Sequence, residues 1–113
     1  MNGWSIAIPQ SKPVKFWYLI AMSIDDEPAP LSSVTIQTRA SDILDKHGYE
    51  RIFGSNSSTP CASLEKDGYV ERIDRTTRRP KVTNSQAKAH LWKITPAGKA
   101  KADELIDDWF LDP

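Results

Sequence analysis

The period of the apolar positions changes along the chain, and each change marks an element boundary. In the first residues Trp4, Ile6 and Ile8 alternate with small or polar neighbours, which predicts a short strand or an ordered arm over residues 1–12. Pro9 and Pro13 bracket its exit, and Pro13 suits the first turn of a helix. The run "VKFWYLIAMSI", residues 14–24, is nearly all apolar, with Val14, Trp17 or Tyr18, and Ala21 on one helical face. It predicts a buried helix. A buried strand also suits its aromatic content.

Pro28 and Pro30 mark a loop. In "SSVTIQTRASDILDKHG" helical spacing returns through Ile36, Ala40, Ile43, Leu44 and His47, with Ser32 or Ser33 as the cap and Gly48 as a left-handed stop. "YERIFGSNSST" has no sustained period and predicts a turn. "STPCASLEKDG" predicts a second short helix, capped by Ser58 or Thr59, with Pro60 in its first turn, Cys61 and Leu64 facing inward, and Gly68 at its end. "YVERID" and "LWKI" predict two strands joined by the long polar connection "RTTRRPKVTNSQAKAH". Thr95 then caps a last helix with Pro96 at its first position, Gly98 as an oddity in the first turn, and a stripe of Ala102, Leu105, Ile106, Trp109 and Phe110. The fold class is mainly α with a small β-hairpin, in one domain or one domain with short arms.

Charge changes this picture more than composition does. The chain of 113 residues is formally neutral, but the neutrality is a sum of blocks. Residues 1–71 carry six basic and nine acidic groups, residues 72–101 nine basic groups and only Asp74, and residues 102–113 five acids and no base. The middle block gathers Arg72, Arg75, Arg78, Arg79 and Lys81 directly after the apolar step of the "YVERID" strand, a density that attracts polyanions whatever the total charge. A solvated hairpin is the plain alternative.

Little suggests catalysis. Cys61 is the single cysteine, which excludes an internal disulfide and an all-cysteine metal site. Its spacing with Leu64 suits a small core residue better than a redox sensor. His47 ends a helix, where positive charge favours the dipole, and His90 leads the returning strand. The acids of "DDE" (25–27) and "DELIDD" (103–108) suit a polar loop and a wet helix face better than a metal site. No metal and no cofactor is expected, and no enzyme. The apolar run from Phe16 to Ile24 is too short to span a bilayer, and no export signal precedes it, so an intracellular, cytoplasmic protein is expected.

The order of helix, turn, helix ending in Gly, strand, loop and strand resembles a winged helix-turn-helix domain. "LEKDGYVERI" is similar to the end of the recognition helix and the first wing strand in MarR- and PadR-like regulators, "LWKITPAGKAKADEL" to their second wing strand and following helix, and "ASDILDKHG" to the first helix of their helix-turn-helix. The resemblance covers about residues 14–110, although the turn "YERIFGSN" and the wing loop are both longer than the common pattern. It implies an arm (1–12), a winged-helix DNA-binding domain (13–95) and a C-terminal helix (96–113) that serves dimerisation. It implies a sequence-specific double-stranded DNA-binding protein, a transcriptional regulator acting as a homodimer. The 57–67 helix would lie in the major groove and the 75–90 wing on the minor groove or backbone. Expected DNA-binding residues are Ser55, Asn56, Ser57, Ser58, Thr59, Ser63 and Lys66 on the helix, with Arg72, Arg75, Arg78, Arg79 and Lys81 on the wing. The expected dimer contacts are Leu105, Ile106, Trp109 and Phe110. The alternative is a winged-helix interaction module or adaptor subunit that does not touch DNA.

Overall fold

The apolar run forms a helix, not a strand, and the rest of the chain is built around it. The computed structural model describes residues 6–24, 30–52, 58–73, 91–109 and 111. Helix α1 (Val14–Ser23) follows Pro13 directly, and every residue from Trp17 to Ser23 is buried. A helix apolar on all sides must be surrounded, and α1 packs against all three other helices and one strand. Its last turn is closed from within and from the last helix: the Ser23 hydroxyl donates to the Ile20 carbonyl at 2.8 Å, and Lys99 Nζ donates to the Ser23 carbonyl at 2.7 Å. No described helix is long and apolar enough to cross a membrane.

Helix α2 (Ser33–Lys46) starts where Ser32 accepts from the Thr35 backbone N–H at 3.2 Å. It buries Ile36, Ala40, Ser41, Ile43 and Leu44. Gly48 ends it at φ +84°, a conformation that only glycine adopts without strain. The segment after it is tied back along the helix. Ile52 N–H donates to Ser41 Oγ at 3.0 Å, Arg51 pairs with Asp42 at 2.8 Å, and Tyr49 forms a parallel bridge with Ile6 of the arm. Thus the start of the long turn after α2 is fixed. Residues 53–57 lie outside the described part.

Helix α3 (Thr59–Lys66) follows, and Gly68 ends it at φ +81°. The sheet holds one strand more than the alternation predicted. Leu31–Ser32 (β1), Val70–Ile73 (β2) and Leu91–Ile94 (β3) form an antiparallel sheet in the order β1-β3-β2. Two-residue β1 carries no alternation of its own. It exists because Leu31 and Ser32 lie opposite Trp92 and Leu91. Helix α4 (Pro96–Asp108) closes the core with Ala102 and Leu105 against α1. The order α1-β1-α2-α3-β2-β3-α4 is that of a winged helix-turn-helix, as the sequence motifs implied.

Gly98, the oddity of the last helix, now has a reason. A Cβ there would strike the Tyr69 carbonyl oxygen and come within 2.8 Å of Ile94 Cγ1. The first turn of α4 crosses the start of the hairpin so closely that a methyl group does not fit.

Candidate nucleic-acid interface

Helix α3 is short, and its placement comes from the inside. Cys61 and Leu64, three residues apart, are fully buried beneath it. Burial pushes the Cys61 thiol up to about 12, so it stays protonated and behaves as a small apolar side chain. Tyr18 of α1 is likewise pushed up to about 12, first by burial and then by the Cys61 sulfur nearby. The Tyr18 hydroxyl and His47 Nε2 are buried without a hydrogen-bond partner among the described residues.

The far end of α3 is held by polar contacts. Lys15 of α1 reaches Asp67 at 2.8 Å and Ser63 Oγ at 3.3 Å. Thr95 ties the helix exit to the start of α4: its hydroxyl donates to the Gly68 carbonyl at 2.8 Å and accepts from Gly98 N–H at 3.0 Å. Its own N–H donates to the Tyr69 carbonyl at 3.0 Å. One threonine therefore caps α4 and fixes the joint between α3 and the hairpin. From that joint β2 pairs with β3 as far as Ile73 opposite Leu91. The long basic connection therefore leaves and returns at neighbouring points.

With Cys61 and Leu64 inward, the exposed residues of α3 are Thr59, Ala62, Glu65 and Lys66. Of the expected DNA-binding residues, Ser58 is the exposed N-cap residue, with no side-chain cap bond, and Thr59 and Lys66 are exposed. Ser63 is half-buried and accepts from Lys15. Arg72 is exposed on β2. Ser55, Asn56, Ser57, Arg75, Arg78, Arg79 and Lys81 lie outside the described residues. Ala62 and Glu65 share the exposed face but were not singled out from sequence. Ala62 follows neither inward residue at helical spacing, so its exposure was legible, whereas Glu65 lies four residues after Cys61 on the flank of the inward side and only the packing leaves it exposed.

The stripe of the last helix is divided. Leu105 belongs to the chain's own core at 5% exposure. Ile106 and Trp109 are half-buried, and Trp109 stacks at a tilt on Trp17 of α1 with ring centroids 5.2 Å apart. Lys12 sits 5.8 Å from the centre of the Trp109 ring. Phe110 lies outside the described residues. Among the described residues no cluster of three or more His, Cys, Asp or Glu could hold a metal ion.

No family model matches the chain, and no curated protein matches it. Among solved structures it is similar to the circadian clock associated protein Pex from Anabaena, with a TM-score of 0.55 and 11% identity. That match covers 96% of this chain and 84% of Pex. At this identity the likeness concerns the fold, and it extends over nearly the whole chain, whose described residues form four helices and a three-stranded antiparallel sheet arranged as a winged helix.

Proposed function

We propose that the protein binds double-stranded DNA with sequence preference and acts as a transcriptional regulator in the form of a homodimer. Helix α3 enters the major groove, and the 75–90 segment lies on the minor groove or the backbone. One observation carries this reading. The helix whose outward face bears Thr59, Ala62, Glu65 and Lys66 is joined through Gly68 and Thr95 to the hairpin that launches the basic connection. A recognition helix and a charged wing need such a shared anchor, because the groove fixes their separation. The arginines and Lys81 of the connection supply phosphate neutralisation. Ile106, Trp109 and Phe110 are the proposed contacts between copies, with Leu105 supporting them from within.

The test is a mobility shift with random duplex DNA at low and moderate salt. Binding that weakens steeply with salt is expected. Replacing Arg78 and Arg79 with Ala should weaken binding to all sequences and flatten the salt slope by about two ion equivalents. Unchanged binding removes the wing from the interface. The adaptor reading draws on the exposed carboxylates Glu65 and Glu71, which would suit a basic protein partner. The absence of a shift at either salt selects it.

A further inference from the structure

We infer that Glu65 is a specificity-determining residue that selects a cytosine in the major groove; this rests on the DNA-binding reading above. Thr59, Ala62 and Glu65 are exposed at successive turns of α3, with Lys66 beside them. Eight residues of helix span about 12 Å, close to the width of the groove they would enter. Neither Glu65 nor Lys66 has an ion-pair partner among the described residues. Lys15 of α1, which reaches the end of the helix, is occupied by Asp67 and Ser63. Lys66 follows Glu65 directly, and neighbours in sequence on a helix do not face each other.

An unneutralised carboxylate on this face opposes every phosphate it approaches. It favours binding only where it meets a donor. The major-groove edges offer two, the amino groups of adenine and cytosine. Adenine pairs its amino group with the N7 acceptor, and an ionised carboxylate, which only accepts, cannot satisfy both. Cytosine presents the amino group alone. Ala62 carries a single methyl group between Thr59 and Glu65, so the backbone can approach the base edges and bring the glutamate within reach. Glu65 therefore acts in two ways: it accepts from cytosine N4–H at one position, and it repels DNA that lacks a cytosine there.

The experiment selects bound duplexes from a random pool with the wild-type chain and with Glu65→Gln. The thermal unfolding of both is compared first; an exposed substitution should leave it unchanged. The wild type should enrich cytosine at one position per half-site. E65Q should lose that preference and move towards adenine, because an amide both donates and accepts. Substitution of the preferred cytosine should cost the wild type about 5- to 150-fold in affinity and E65Q much less. E65Q should also bind random duplex more tightly. Retention of the same cytosine by E65Q overturns the inference, as does a wild-type motif with no cytosine dependence, while the DNA-binding reading stands in both cases. If the wild type retains no duplex, the reading itself fails and the inference with it.

Discussion

Helices α1 and α3 touch each other and are built on opposite principles. In α1, ten residues long, seven consecutive side chains are buried. In α3, eight residues long, only Cys61 and Leu64 are buried. Each large apolar side chain removed from water contributes about 1.5–3 kcal/mol, so α1 is where stability accumulates. A helix of eight residues does not persist alone in water. α3 is helical because α1 receives Cys61 and Leu64, and because Lys15 and Thr95 hold its end. The comparison teaches a division of labour. One helix gives up all its surface to make the core, and the other keeps most of its surface free because the first supports it.

The largest way to break this contrast is alkaline pH. Tyr18 and Cys61, one from each helix, are both raised to about 12, against ordinary values of 10.0 and 9.0. Between those ordinary values and 12 the unfolded chain has lost protons that the folded chain keeps. Their contribution is therefore fully present below about pH 9 and is lost as pH rises towards 12. Urea midpoints measured from pH 8 to pH 11.5 should fall, and Cys61→Ala should flatten the first part of the fall. A flat profile would mean that the two groups are not buried together.

Leu19→Ala, inside α1, should cost about 2–5 kcal/mol by equilibrium unfolding, because the surroundings cannot close the cavity. Gly98→Ala should cost about 1–3 kcal/mol, since the added methyl must displace the Tyr69 carbonyl. That figure is unusual for a helical glycine, where alanine normally stabilises. A stabilised G98A variant would show that α4 does not cross the hairpin as described. The smallest effect concerns α3. Lys15→Met should change stability by about 1 kcal/mol or less, because the Lys15–Asp67 pair is partly exposed at 29% and 38%. Its readout is hydrogen exchange at the end of α3, which should quicken more than global unfolding does.

Much of this architecture was legible in advance for local reasons. Ser32 and Thr95 are caps whose side chains accept from the third residue onward, and such contacts depend on the neighbouring chain alone. Gly48 and Gly68 end their helices in the left-handed region, as their positions after amphipathic runs implied. Cys61 is a core residue, as its spacing with Leu64 implied. Non-local features were hidden. β1 is defined by partners about sixty residues away. Gly98 is explained by the carbonyl of Tyr69, and Ser63 is drawn to Lys15 of another helix. Periodicity sets Ser63 beside Lys66 on the outer side and Glu65, four residues after Cys61, towards the inner one, so the exposure of Glu65 is a result of packing.

The sequence by itself determined where α2, α3 and α4 begin, that Ile36, Ala40, Ile43 and Leu44 of α2 face inward, and that a dense basic segment follows α3. Those properties follow from dihedral preference, periodicity and counting, which need no knowledge of distant residues. Only the tertiary structure decided that Leu105 serves its own core, that Thr95 joins α3 to the hairpin, and that Glu65 is left exposed without a partner among the described residues. These depend on which surfaces α1 covers, and coverage is a property of packing in three dimensions that no single stretch of chain encodes.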